Sequence, residues 1–539
     1  MQFGRPAPER VRHRNHLSLS FSMSSLLKDE PLLPSALRRF WDEHPVQAVL
    51  LIALIPRLVA AVFAKGYGMH DDHFGPIEQP FIVMNYLAYW TGRVIPHGHS
   101  IVYPSLHYVL FNILEFFGLH DPQTKMYVVR FLHAGYSLLV VYFGMKIAES
   151  VTDRQTARKV GLVLALFWPL PFLSVRNLIE VVCIPPLMGG TYYALESRKN
   201  LRNAFVAGLW LGLAFVFRYQ TLLFTGTLGL VFLVRKEFRH AFWCASGFLL
   251  SVFVIQGSAD IFAWGYPFAS FVEYVRYNLA HGEDYTTGPW YNYLLLILGA
   301  LLPPISFTFV YGFLRNWRRA ALAVFPVLVF FILHSMFPNK QERFILPVMP
   351  LILTLGVIGF EEMRRTSEYW IRHSRLVKSL WVIFWALNLI LLVPFSLYYG
   401  KQSRIEAMHE LYGKQLEGLV LVGGKVGTSQ PPLFYTGKFP VSYYEVNSDE
   451  ALRSLKAELG RSRVRITHVV FFGTEQLDER VRQVGDELGL DLKLEKRTDP
   501  SFLDVVFYKL NPRHNKNEIT FVYSARGLHT PVLNGSPQS

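Results

Sequence analysis

Of the 539 residues, 51% are hydrophobic, 15% aromatic and only 17% charged. That charge content lies well below the roughly 25% of soluble domains. The apolar residues come in long runs, which excludes an ordinary soluble globule and points to a polytopic membrane protein. The formal net charge of +14 sits in loops between those runs, as cytoplasmic loops require, so it does not indicate a nucleic-acid binder.

Residues 1–44 read as a basic cytoplasmic leader, Ser-rich at its start, and Met23 is a second candidate start. The first apolar run begins near Pro45 behind Arg38 and Arg39, without the form of a cleavable signal peptide, and reads as a start-transfer anchor. Eleven candidate spans follow, near 46–64, 127–148, 159–175, 178–196, 203–217, 219–235, 241–263, 290–314, 320–337, 343–361 and 377–399. Several are shorter than the ~20 residues of a perpendicular helix. The stretch 101–118 is equally apolar but carries Pro104, His107, Asn112 and Glu115.

Loop charge decides its status. Basic loops occur at Arg154/Arg158/Lys159, Arg198/Lys199/Arg202, Arg235/Lys236/Arg239, Arg315/Arg318/Arg319 and Arg364/Arg365/Arg372/Arg375/Lys378. All fall on one side only if 101–118 does not cross, so that stretch reads as an amphipathic or re-entrant helix on the outer face. The N-terminus is then inside and the C-terminus outside.

The expected fold class is mainly α: a polytopic membrane protein with about 11 transmembrane helices plus a small C-terminal α/β domain. Residues 45–400 form the transmembrane domain, with a large first outer loop at 65–126. Residues 401–510 form a soluble outer-face domain, with strands at 418–422, 465–472 and 502–509 and helices at 448–459 and 475–488. Residues 511–539 read as a loose tail. The run Gly423–Ser429 lacks the spacing of a phosphate loop and reads as a turn. Cys183 and Cys244 sit inside apolar runs and read as small hydrophobes.

The candidate chemistry gathers in Met69–Pro80, MHDDHFGPIEQP. It holds Asp71, Asp72 and Glu78, with His70 and His73, directly behind a span. Adjacent carboxylates repel, which raises the pKa of one of them. A carboxylate at a low-dielectric edge suits a general base toward a hydroxyl. Two other readings stay open: a solvated acidic turn, and a metal site built from His70, Asp71, Asp72 and His73, although chain neighbours seldom all point at one ion. Arg176, Arg218, Lys340 and Arg343 flank spans on the same outer side, against the positive-inside trend. A lipid phosphate would suit them, because Arg holds phosphate through two parallel hydrogen bonds; snorkelling to headgroups is the alternative. Arg57, within the first span, is open to a functional or a snorkelling reading. His97, His99 and His107 carry no assignment. Tyr274, Tyr277, Tyr285, Trp290 and Tyr291 read as an interfacial aromatic belt, with stacking on sugar rings as the second reading.

These residues resemble a family. The run DDHFGPIE is similar to the DE-x-F-x-x-x-E part of the HPDE motif of glycosyltransferase family 22, the mannosyltransferases of dolichol-linked oligosaccharide and GPI-anchor assembly, within the GT-C membrane superfamily. Asp71, Asp72, Phe74 and Glu78 fall on the motif, whereas Met69 and His70 stand where the family has His and Pro. The segment Asn339–Leu351, NKQERFILPVMPL, is similar to HKE-x-RF-x-x-P-x-x-P, with Asn339 and Gln341 replacing His and Glu. Ser174–Leu178, SVRNL, is similar to the SRTL segment, and the pair Tyr103–Pro104 also sits where such proteins carry one. The likeness covers about 45–400. The C-terminal domain lies outside the dolichol-pathway pattern and is similar in placement to outer-face domains of bacterial GT-C enzymes.

The resemblance implies a glycosyltransferase that moves a sugar, with mannose expected, from a polyprenyl- or dolichyl-phosphate donor to a hydroxyl of a glycan or glycolipid, with inversion. Asp71 would take the acceptor proton, with Asp72 and Glu78 tuning or orienting it. Arg343, Lys340, Arg176 and Arg218 would neutralise the leaving phosphate. No nucleotide, metal or other cofactor is implied. The competing class is a transporter or flippase of lipid-linked sugars; such proteins tend to show internal repeats and midplane polar groups, and no repeat is evident. The expected location is a bacterial cell membrane with the site facing outward, with the endoplasmic reticulum membrane as the alternative.

Overall fold

A computed structural model of the chain describes residues 35–81, 96, 98–284, 287–425, 427–438, 441–461, 464–512, 515–516 and 518–527. Most of the leader, part of the first outer loop, His97, Tyr285 and the last residues of the expected tail lie outside the described residues.

Apolar runs fold as helices because hydrocarbon offers backbone N–H and C=O groups no other partner. In chain order these are α1 (Pro45–Phe63), α2 (Val102–Phe116), α3 (Pro122–Val151), α4 (Arg154–Leu166), α5 (Ile184–Glu196), α6 (Arg202–Phe217) and α7 (Thr221–Val234). Then come α8 (Phe238–Trp264), which contains a π-helical stretch at Val252–Gly257, α9 (Ala269–Ala280), α10 (Asn292–Ala300), α11 (Ile305–Arg315), α12 (Ala321–Met336), α13 (Met349–Thr366) and α14 (Ser374–Ser396). Five helical segments have the length and hydropathy of spans: α1, α3, α8, Glu342–Thr366 and α14. A sixth is added if α10 and α11, bent by 112°, count as one, while α6, α7 and α12 are apolar but shorter. The expected count of about eleven is therefore not confirmed. The apolar runs are longer than the helices they form. The run 159–175 breaks after Leu166 ahead of Pro169 and Pro171, and 290–314 breaks at Pro303 and Pro304, because proline lacks the donor a continuing helix needs. The 15-residue α2 spans about 22 Å, short of a hydrocarbon core of roughly 30 Å.

Backbones approach closely through small residues, as membrane helices do when lipid supplies no hydrophobic drive between them. A Cβ on Gly359 of α13 would overlap the Gly312 backbone of α11, and one on Gly247 of α8 would overlap the Phe205 carbonyl of α6. Gly359→Leu is expected to destabilise the fold by about 3 kcal/mol or more, read as a loss of monodisperse protein in detergent and a lowered Tm.

Arg57 receives a structural role. It is fully buried and donates to the carbonyls of Ala165 (2.9 Å) and Leu164 (3.3 Å), which end α4, and to Ser137 Oγ (3.0 Å). A guanidinium over the unsatisfied carbonyls of a helix end caps it. Three of the basic loops meet at one end of the bundle, through Lys159–Glu361 (2.6 Å), Arg365–Asp153 (2.5 Å) and Arg319–Glu362 (2.9 Å). Arg343 stands near the opposite end of the Glu342–Thr366 segment that carries Glu361 and Arg365.

After α15 (Gln402–His409), the C-terminal domain is a five-stranded sheet with α16 (Asp449–Leu459), α17 (Leu477–Leu488) and α18 (Phe502–Leu510). Its strands are β1 (Gly418–Val422), β2 (Ser442–Val446), β3 (Ile466–Phe472), β4 (Leu490–Thr498) and β5 (Thr520–Gly527), in the order β2-β1-β3-β5-β4. β1 runs parallel to β2 and β3, and β5 is antiparallel to β3 and β4. Two differences from expectation stand out. The stretch 502–509 is helix, not strand, and β5 lies inside the stretch read as tail. Aromatic and β-branched residues give 502–509 its strand-like look, but Ser501 caps it by accepting from the Asp504 N–H (3.2 Å). Buried Asp504 in turn accepts from Tyr398 Oη (2.7 Å) and the N–H groups of Lys401 and Gln402 (both 3.2 Å), tying the domain to the end of α14.

Alternation along the strands buries both sheet faces. Val420, Val422, Val469 and Phe471 face a cluster that includes Leu452 of α16 and Val484 of α17. Leu419, Leu421, Val470 and Phe472 join a cluster with Tyr67, Phe74 and Ile77 of the first outer loop. The sheet thus packs against the acidic stretch.

Candidate active site

Directly after α1 the chain makes a 3-10 turn, His70–Asp72, then a π turn, Phe74–Glu78. The tight backbone sends successive side chains in different directions. Asp72 is fully buried and accepts from the N–H groups of Asn177 (2.5 Å) and Gly68 (2.9 Å). Burial raises its pKa above the usual carboxylate value, against the opposing pull of Arg176 and those two donors. His73 pairs with Glu78 at 3.1 Å, and Glu78 also accepts from the N–H of Phe434 (2.8 Å) in the C-terminal domain. The His73 ring stacks on Tyr67 and on Tyr435, with centroids at 5.1 and 5.4 Å. Asp72, His73 and Glu78 therefore hold the loop in place.

Asp71 alone of the three acids opens outward, with a side chain 44% exposed. One oxygen accepts from Arg343 Nη1 and the other meets His70 Nδ1 at 3.3 Å. Burial pushes the Asp71 carboxyl up, but the hydrogen bond from His70 and the Arg343 guanidinium outweigh it and hold the group well below the usual carboxylate range. The expectation that two neighbouring carboxylates shift each other by repulsion is thus replaced by two separate environments. Because Asp71 keeps its charge down to low pH, its protonation is expected to leave turnover unaffected between about pH 5 and 7. A kcat/KM profile with no Asp71 limb in that window checks this.

Behind Asp71 lies a residue that the sequence reading missed, Glu180. It is 1% exposed and accepts from Arg218 Nη1 at 2.6 Å, with Arg343 Nε at 3.5 Å. Both guanidiniums sit over the Phe344 ring, centroids 5.2 and 5.5 Å away. Arg343 is further fixed by Gln341 Oε1 (2.9 and 2.6 Å). The result is an alternating row, Asp71–Arg343–Glu180–Arg218. Nε and Nη2 of Arg218 and Oε2 of Glu180 are buried with no hydrogen-bond partner among the described residues. Unsatisfied buried donors of this kind are unusual, and their chemistry suits a further hydrogen-bond acceptor. His99, unassigned in the sequence, lies within electrostatic reach of Asp71, Glu180, Arg343 and Arg218. An acid inside the apolar run 178–196 was a usable signal for Glu180.

The four basic residues divide. Arg218 and Arg343 join the row. Arg176 is buried and donates to the carbonyls of Gly66 (2.6 Å), Lys65 (3.2 Å) and Tyr398 (3.2 Å), clamping the start of the acidic loop to the end of α14. Lys340 donates to the carbonyls of Phe337 and His334 (3.3 Å) at the end of α12. His70, Asp71, Asp72 and His73 do not converge, and among the described residues no group of three or more metal-ligating side chains gathers.

Asp71, Arg343, Glu180 and Arg218 thus gather beside an acidic loop that packs between the helical bundle and the small sheet domain. The crystal structure of ArnT from Cupriavidus metallidurans bound to undecaprenyl phosphate superposes with a TM-score of 0.57, covering 92% of this chain and 99% of that one at 14% identity, a likeness of fold. The Alg9-like mannosyltransferase family matches residues 48–417, and the chain belongs to that family. The mouse alpha-1,2-mannosyltransferase ALG9 is 27% identical over 219 residues, 35% of this chain and 36% of that protein. The human GPI alpha-1,2-mannosyltransferase 3 is 23% identical over 318 residues, 57% of this chain and 56% of that protein. The chain thus spans about a third to just over half the length of these relatives.

Proposed function

We propose that the protein transfers a sugar, mannose by its kinship, from a polyprenyl- or dolichyl-phosphate donor to a hydroxyl of a glycan or glycolipid, on the non-cytoplasmic face and with inversion. The observation that carries the reading is the pairing of the open carboxylate of Asp71 with Arg343 beside the unsatisfied donors of Arg218. In a single displacement the acceptor oxygen forms the new bond to the anomeric carbon while its proton passes to Asp71. The bond from that carbon to the phosphate oxygen breaks, and the lipid phosphate leaves with the electron pair. Arg343 and Arg218 stabilise the charge that develops on it. Drawing Arg343 toward the phosphate also frees Asp71 from the ion pair that keeps it a weak base, so donor occupancy and base strength are coupled.

Asp72 and Glu78 orient the loop, Arg176 clamps its start, and Lys340 caps the end of α12. Family membership and a site at the bundle end do not favour the transporter reading. The relatives' kinship also fits an endoplasmic reticulum membrane, alongside the bacterial membrane expected from the sequence. The test is reconstituted full-length protein offered polyprenyl- and dolichyl-phosphate sugars with mannosyl-glycan acceptors, with product mass as readout. Sugar transfer supports the reading; movement of intact donor across the bilayer without transfer overturns it.

A further inference from the structure

Besides the stacked rings of His73 and Tyr435 and the apolar packing of Phe74 and Ile77, two hydrogen bonds link the acidic loop to the C-terminal domain among the described residues. One is the Phe434 N–H on Glu78. The other is Gln430, whose Oε1 lies 2.7 Å from His70 Nε2, while Nδ1 of the same ring lies 3.3 Å from Asp71 Oδ1. The His70 ring also stacks on Phe74, centroids 4.5 Å apart. We propose that His70 is a positioning residue for Asp71, locked in place by Gln430, so that the soluble domain orients the base of the membrane domain. This rests on the reading of Asp71 as the base.

The hydrogen-bond inventory of the ring supports the assignment. With Oε1 of Gln430 facing Nε2 and a carboxylate facing Nδ1, both ring nitrogens meet acceptors, which the doubly protonated imidazolium satisfies. If the Gln430 amide is turned to present its NH₂ group, the neutral ring still carries its proton on Nδ1, toward Asp71. In both cases Nδ1–H donates to Asp71, and the imidazolium makes the stronger, charge-assisted bond that loss of its proton weakens. The hydrogen bond to Asp71 raises the pKa of His70, Gln430 adds to this, and Arg343 opposes it from the Glu342–Val348 turn. His99 faces the same carboxylate from the segment before α2. Asp71 is thus held by Arg343 on one oxygen and His70 on the other. When Arg343 turns to a phosphate, His70 remains as the group that fixes the direction of the carboxylate.

Two measurements test this. The first needs no turnover: NMR titration of histidine-labelled full-length protein in nanodiscs. His70 is identified by the signal lost in His70→Asn, and its pKa is expected to fall in both Asp71→Asn and Gln430→Ala. A His70 titration unmoved by both variants overturns the proposal. The second measures transfer from dolichyl-phosphate mannose. His70→Asn is expected to lower kcat about ten-fold with the donor KM unchanged, and to remove an alkaline limb that the wild type shows as the imidazolium loses its proton. Gln430→Ala is expected to move the same limb to lower pH. Wild-type kcat and an unchanged profile in His70→Asn overturn the positioning role. If the wild type transfers no sugar from any donor while the titration behaves as expected, the functional reading fails and the His70–Asp71 contact stands. Both His70 and Gln430 are surface-accessible, so their substitution opens no core cavity, and Tm beside wild type checks that the variants fold.

Discussion

Asp71→Asn is expected to lower kcat/KM for sugar transfer by about 10²- to 10⁴-fold, the range of a lost general base, with the donor KM little changed. The amide keeps the shape of the side chain and can still meet His70 or Arg343, so the loop holds while the proton acceptor is gone. Asp72 provides the internal contrast. It is fully buried and accepts two backbone N–H bonds, so its replacement by Asn acts on the folded population. Turnover of polyprenyl-phosphate mannose by purified protein, normalised to folded material, separates the two. Retention of full turnover by Asp71→Asn would remove Asp71 from the role of base.

The second large effect is expected at Glu180. This carboxylate is the buried counter-charge to Arg218 and Arg343. Removing one member of a buried ionic group strands its partners, at a cost of about 3–5 kcal/mol. Glu180→Gln should therefore lower the Tm markedly in nanodiscs. Pairing it with Arg218→Met should recover part of the loss, because a hydrophobic replacement removes the stranded charge. Inorganic phosphate or a short-chain prenyl phosphate should restore stability to Glu180→Gln more than to the wild type, because the unpaired guanidiniums then take an anion. An unchanged Tm in Glu180→Gln would show that the row does not hold the site together.

How legible the site was in the sequence differs from residue to residue. Asp71 could be found from its place, an acidic pair directly behind a span. Arg218 and Arg343 could be found as outer-side cations. Arg176 and Lys340 looked the same by every local criterion, yet their donors point at backbone carbonyls. Nothing in the neighbouring residues distinguishes a guanidinium that caps a chain end from one that faces an open site. Glu180 carried a signal, a charge within an apolar run, but its meaning depended on two arginines 38 and 163 residues further on. The C-terminal domain was legible as α/β, but 502–509 hid a helix behind strand-like residues, and β5 hid in a polar tail until β3 and β4 gave it partners.

The sequence by itself determined the class: runs of apolar residues must fold as helices in a bilayer, basic loops must gather at one end, and the motif residues mark the family. The tertiary structure decided which of three neighbouring acids is available. Asp72 and Glu78 are taken up by Asn177 and Phe434, about 100 and 350 residues away, and the C-terminal sheet closes over that side of the loop. A carboxylate's chemistry follows from what remains unbonded around it, and that depends on contacts no local stretch of sequence contains.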